Sequence, residues 1–279
     1  MENNINEKYF APIFEDYLKG IEPFKDCGYW QLPFIPYTFP LYESSPLKVF
    51  YVGRDTYYWC EYAEEYYADP KAYLKDNSEF VTSNKIKEEE EWKEGRFWGM
   101  VGKLHLQLLT GIYHESVNDL TEKDFKLLEG IGYGNLYSIE TPQTLKKKYS
   151  GGERSEWDDI KDVSGYKKLR LMARPFEQLK TIFEAYGEPD VVFVLSWSNK
   201  EDVFFEGLDY EQKEEWFEND FRAVYLSKTH RTKVIWTSHP NRYRFLRTDT
   251  EKMCQYLCDT YKTLEHVTEE RTKSPTCMK

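Results

Sequence analysis

Four short apolar runs, each closing on a polar residue and separated by stretches of helical period, limit this chain to few folds. The first lies in LKVFYVGRDTYYW, residues 47–59, where Leu47, Val49, Phe50, Tyr51 and Val52 form a near-continuous apolar run. That is how a strand buried on both faces of a parallel sheet reads. It ends in Gly53-Arg54-Asp55, with a carboxylate pushed out at its tip. IGYGNLYSIE (131–140), DVVFVLSWSN (190–199) and TKVIWTSHPN (232–241) are the second, third and fourth strands.

The intervening segments predict helices. Phe10, Ile13, Phe14, Tyr17 and Leu18 share one helical face, and so do Phe97, Val101, Leu104 and Leu108 before Gly111. Thr121 and Asp124 frame a capping pattern for a short helix stopped by Gly130. Pro175 opens a helix with Phe176, Leu179, Ile182 and Phe183 inward and Gly187 as its stop. Met253, Leu257, Tyr261 and Leu264 mark the last helix, and the final dozen residues read as a frayed tail. Strands alternating with helices imply a three-layer α/β/α fold around a central four-stranded parallel sheet.

A length of 279 residues suits one domain. Its parts are an N-terminal helix extension (1–46), an acidic insertion (60–95) and a polar excursion (141–174). No apolar run approaches the roughly 18 residues of a membrane span, so a soluble, cytoplasmic monomer is expected. Five cysteines without zinc-type spacing suit reduced thiols, and Cys254 and Cys258 read as helix packing.

The net charge of −11 argues against nucleic acid, but its distribution argues back. Residues 61–95 hold eleven acids against five lysines, and residues 201–220 hold nine acids. Residues 221–247 carry seven Lys or Arg and no acid, which reads either as a solvated face or as one basic binding surface.

Ligands of open α/β sheets bind beyond the carboxyl ends of the strands. Those ends here carry Arg54 and Asp55, then Asn135, then Ser196, Ser198 and Asn199, then His239 and Asn241. Gly53 stands alone, without the rest of a phosphate-binding loop. Asp55 and His239 lack a third ligand at metal-binding spacing, so no metal and no cofactor are expected. What is left is a carboxylate, an imidazole and an amide, the parts of an acid–base and electrostatic site.

Gly53-Arg54-Asp55-Thr56-Tyr57 and Ser238-His239-Pro240-Asn241 resemble the two signature motifs of the uracil-DNA glycosylase superfamily, Gly-x-Asp-x-Tyr and a last strand ending in His-Pro. GRFW at 95–98 is similar to the helix-opening Asn-Arg-Phe-Trp of the mismatch-specific branch, and GNL at 134–136 to the base-reading asparagine strand. The resemblance runs in family order from about residue 47 to about residue 265. Arg54 replaces the family's usual glutamine, Thr56 its proline, and Asn241 its serine.

The resemblance implies a DNA partner and a base flipped into a pocket at the strand ends, with hydrolytic removal of uracil or a related base. Asp55 would orient water and stabilise the cation-like sugar, and His239 would donate to the departing base. Asn135 would pair with the base edge, and Tyr57 would crowd its C5 side. Gly53, Arg54, Ser198 and Asn199 would line the pocket. Asn241, Arg242, Tyr243, Arg244 and Phe245 would supply phosphate contacts and a wedge. Tyr58, Trp59, Phe97 and Trp98 are all candidates to stack on the base.

Plainer readings stand beside these. Asp55 reads equally as a helix N-cap and Asn135 as a turn brace, while Trp98 fits the core by helical period. Arg54 beside Asp55 also suits a DNA- or base-binding protein that does not cleave, and the acidic stretches suit a protein-interaction module.

Overall fold

The computed structural model describes residues 6–23, 31–54, 66, 68–74, 83–139, 163–196, 203–216, 222–241 and 249–273. The apolar run at 49–53 lies well inside the sheet. Strand β2 (Val49–Gly53) is buried along its whole length because it is flanked on both sides and covered on both faces. It pairs in parallel with β3 (Ile131–Asn135) and with β4 (Val191–Leu195), and β4 pairs in parallel with β7 (Lys233–Thr237).

The sheet is larger than the four-stranded parallel one expected. It is mixed and seven-stranded, in the order β1 (Tyr37–Thr38), β3, β2, β4, β7, β6 (Arg222–Leu226) and β5 (Glu211–Trp216). Strand β1 adds antiparallel to β3 at one edge. At the other, β6 adds antiparallel to β7, and β5 to β6, with a register shift between Gln212 and Glu214. Composition hid these strands. Glu211, Gln212 and Lys213 are exposed on the edge, where charge guards against pairing with another chain. Ala223, Val224 and Tyr225 are buried within β6.

Helices cover both faces. Phe50 and Tyr51 are successive strand residues and point opposite ways. The Phe50 ring lies 6.1 Å from Tyr186 of helix α5 (Leu179–Tyr186). On the other face, the Tyr51 hydroxyl is 3.3 Å from His105 Nδ1 on α2 (Phe97–Thr110), and its ring stacks on Phe193 at 5.7 Å. Helix α6 (Thr250–Lys273) lies against α2, where Gln107 Nε2 donates to Gln255 Oε1 at 2.7 Å. Cys254 and Cys258 are buried free thiols, and Cys254 touches Met100 of α2, as packing predicts. Among the described residues no helix is long and apolar enough to cross a membrane.

Local signals behave with some corrections. Helix α1 (Ala11–Ile21) buries Phe14, Tyr17 and Ile21. Gly111 closes α2 at φ 75°, and Thr121 and Asp124 form a reciprocal capping box on α3 (Glu122–Leu128). Pro175 does not open the following helix: it sits in a 3-10 turn at Arg174–Phe176, and α5 starts only at Leu179. The excursion expected at 141–174 ends as a helix, α4 (Val163–Ala173), which buries Leu169 and Ala173. The acidic stretch is not wholly peripheral, because Tyr73, Ile86 and Trp92 anchor it in the core while Glu88, Glu89 and Glu90 stay exposed. Helix α6 runs on to Lys273, into the tail expected to fray.

Candidate functional site

The carboxyl ends of β2, β3 and β7 meet under the first residue of α2. Gly53 is in register with Asn135 on the neighbouring strand. A β-carbon built on Gly53 would lie 2.6 Å from Asn135 Oδ1, 2.9 Å from the Tyr133 hydroxyl and 3.5 Å from the Phe97 ring. Phe97 also reaches β7: its ring stacks on His239, with centroids 6.1 Å apart and planes at 29°. Phe97 also packs edge-on to Tyr133 at 5.4 Å. One aromatic at the positive end of a helix thus joins three strand tips.

Hydrogen bonds fix the polar groups. Tyr133 donates its hydroxyl to Asn135 Oδ1 at 2.8 Å, within a site where Asn135 is 4% exposed. The backbone N–H of Asn241 donates to His239 Nδ1 at 3.2 Å. An accepting Nδ1 bears no proton, so the neutral ring carries its hydrogen on Nε2. That tautomer makes Nε2 a hydrogen-bond donor.

The chain leaving Asn135 braces the exit of β2. Leu136 N–H donates to the Gly53 carbonyl at 3.0 Å and Tyr137 N–H to the Arg54 carbonyl at 2.9 Å. Tyr137 lies beneath the Arg170 guanidinium, 4.3 Å from its ring centre. Arg170 pairs with Glu177, which also accepts from Ser138 N–H at 2.7 Å. Burial pushes the Glu177 carboxyl up, while Arg170 opposes the shift.

Of the residues singled out in the sequence, the structure brings together Gly53, Asn135 and His239. Arg54 is half-buried at the tip of β2, and Asn241 is exposed in the turn after His239. Ser196 is buried at the end of β4, its N–H bonded to the Thr237 carbonyl at 2.9 Å. Asp55, Tyr57, Tyr58, Trp59, Ser198, Asn199, Arg242, Tyr243, Arg244 and Phe245 lie outside the described residues. Trp98 is partly buried against the core, packed on Tyr133 at 4.7 Å and stacked on Phe39 at 6.2 Å. Tyr133 was hidden as one more strand residue, although its i, i+2 spacing to Asn135 places both on one face.

Among the described residues, the cations of the basic segment do not all lie at one end of the sheet. Lys228 pairs with Glu211, and Arg231 donates to the Glu188 carbonyl. Both precede β7, and Lys233 is its first residue, so all three sit at the end of the sheet away from His239. Arg222 opposes Thr237 in register and belongs to the site end. Among the described residues no group of three or more His, Cys, Asp or Glu is placed to hold a metal.

These features define an open α/β sheet with a polar site at the carboxyl ends of adjacent parallel strands, where ligands of such sheets bind. Comparison with protein-family models, curated proteins and solved structures finds no match to the chain.

Proposed function

We propose that the chain is a glycosylase of the uracil-DNA glycosylase type, which takes a base flipped out of DNA into the strand-end site and hydrolyses its N-glycosidic bond. The observation that carries this reading is the convergence of Gly53, Asn135 and His239 around Phe97. The parallel order β3-β2-β4-β7 supports it, because these are the four strands that bear the family-like motifs.

Breaking the glycosidic bond leaves positive charge on the sugar and negative charge on the base. His239 Nε2–H would donate to the base carbonyl as charge accumulates there. Asn135 would pair with the base edge. Asp55, one residue beyond the braced Arg54, would orient the water whose hydroxyl joins the sugar carbon, and the water's proton would end on the base. A base-release assay on duplexes containing uracil, hypoxanthine or a mismatch tests the reading. Failure to release any base would remove it.

The division of the cations between two ends of the sheet favours a second reading, a protein that binds a base without cleaving it. Binding of free uracil without product release from DNA separates the two.

A further inference from the structure

The geometry points to Tyr133 as a positioning residue that sets which base the site accepts, by fixing the orientation of the Asn135 amide; this rests on the base-releasing reading above. An amide presents either its oxygen or its NH2 to a ligand, and the two states differ by a half-turn. Here the half-turn is set from behind. Tyr133 stands two residues earlier on the same strand face and donates to Asn135 Oδ1 at 2.8 Å. Both oxygens stand over Gly53, 2.6 Å and 2.9 Å from where its β-carbon would be, so only glycine leaves them room. Oδ1 is thereby held toward Tyr133, and the NH2 becomes the arm turned away from it.

The tyrosine itself has no freedom to swing. Its ring packs against Phe34 at 5.4 Å, Tyr37 at 5.7 Å, Phe97 at 5.4 Å and Trp98 at 4.7 Å. Tyr133 is 8% exposed, so water does not readily replace its bond to Asn135.

The consequence is a choice among bases. An amide held with NH2 outward donates to a ring carbonyl, and the second lone pair of Oδ1 is left for an adjacent ring N–H. Uracil and hypoxanthine offer that pair. Cytosine and adenine set an amino group against the NH2, and two buried donors facing each other are strongly rejected. Without the Tyr133 hydroxyl the amide can turn and offer its oxygen to an amino group.

The variant Tyr133→Phe keeps the ring and its packing and removes only the hydroxyl. Two measurements on the full chain decide the matter: base release from matched uracil and cytosine duplexes, and an NMR titration of the Asn135 side-chain NH2 with free uracil and free cytosine. We expect the uracil-over-cytosine ratio to fall about tenfold in Tyr133→Phe, the scale of one hydrogen bond, and the Asn135 signal to respond to cytosine only in the variant. A uniform slowing at unchanged ratio would mean a purely structural role and overturns the inference. If the wild type releases no base, the glycosylase reading fails and the titration decides alone. An Asn135 signal that ignores uracil, or that responds alike in both proteins, then overturns the inference; a uracil preference present only in wild type upholds it.

Discussion

Phe97 and His239 lie ring on ring, 6.1 Å apart at 29°, although one opens a helix and the other follows the last strand along the chain. This stack and the Asn241 N–H on Nδ1 both help to orient the imidazole. Phe97→Leu keeps apolar bulk and removes the stack. An aromatic pair contributes about 1 kcal/mol beyond burial, so base release should slow about fivefold, with the melting temperature little changed. Single-turnover kinetics beside a thermal melt is the measurement; an unaltered rate would show that the stack does not position His239.

His239→Ala and Asp55→Asn should each cost about a hundredfold or more in base release, the scale of oxyanion and acid–base groups. His239 is partly exposed beyond the end of β7, so its removal should leave the fold intact. Near-wild-type rates in both variants would remove the mechanism.

How much of this was legible depended on where the information lay. Val49 to Gly53 and Val191 to Leu195 announce their burial in their own composition, so the parallel core and the amide and imidazole at its edges could be read directly. Strand β5 has a charged, edge-type sequence, and only its pairing with β6 makes it a strand. Phe97 could not be told from Tyr58, Trp59 or Trp98 because its role depends on how closely α2 approaches three strand tips. The role of Tyr133 depends on a hydroxyl reaching 2.8 Å to its neighbour's amide, which no period reveals.

Gly53→Ala tests that crowding. The new β-carbon would meet Asn135 Oδ1 at 2.6 Å and the Tyr133 hydroxyl at 2.9 Å. Tyr133 is locked by its rings, so the amide must yield. We expect a loss of about 1–3 kcal/mol in a urea melt, typical of overpacking, and at least about a tenfold loss of base release. Full activity in the variant would mean that the amide's position is unimportant.

Stability should fall in mild acid through His105. Burial holds its pKa down from 6.5 to about 4, although its bond to the Leu127 carbonyl raises it. Between those values the unfolded chain binds a proton that the folded chain refuses. The histidine's contribution is therefore present above pH 6.5 and declines as pH falls toward 4. The span corresponds to about 3 kcal/mol. Denaturant melts at several pH values should show this slope in wild type and a flatter one in His105→Gln. Equal slopes would place the acid sensitivity elsewhere.

DNA binding should depend on which end of the sheet carries the charge. Lys228 and Arg231 lie before β7 and contact Glu211 and Glu188, whereas Arg242 and Arg244 follow His239 in the chain. A five-residue strand spans about 16 Å, roughly twice the screening length of about 8 Å at physiological salt. Cations at the far end are thus screened from a duplex at the site, whatever the net charge of −11. Replacing Arg242 and Arg244 by alanine should weaken binding and flatten its salt dependence by up to about two phosphate contacts. Replacing Lys228 and Arg231 should leave both affinity and slope unchanged. Salt titrations of the wild type and the two double variants make the comparison. Equal losses from both ends would indicate only a diffuse electrostatic effect. No loss from Arg242 and Arg244 would mean that the turn after His239 does not touch DNA, and the base-binding reading would take precedence.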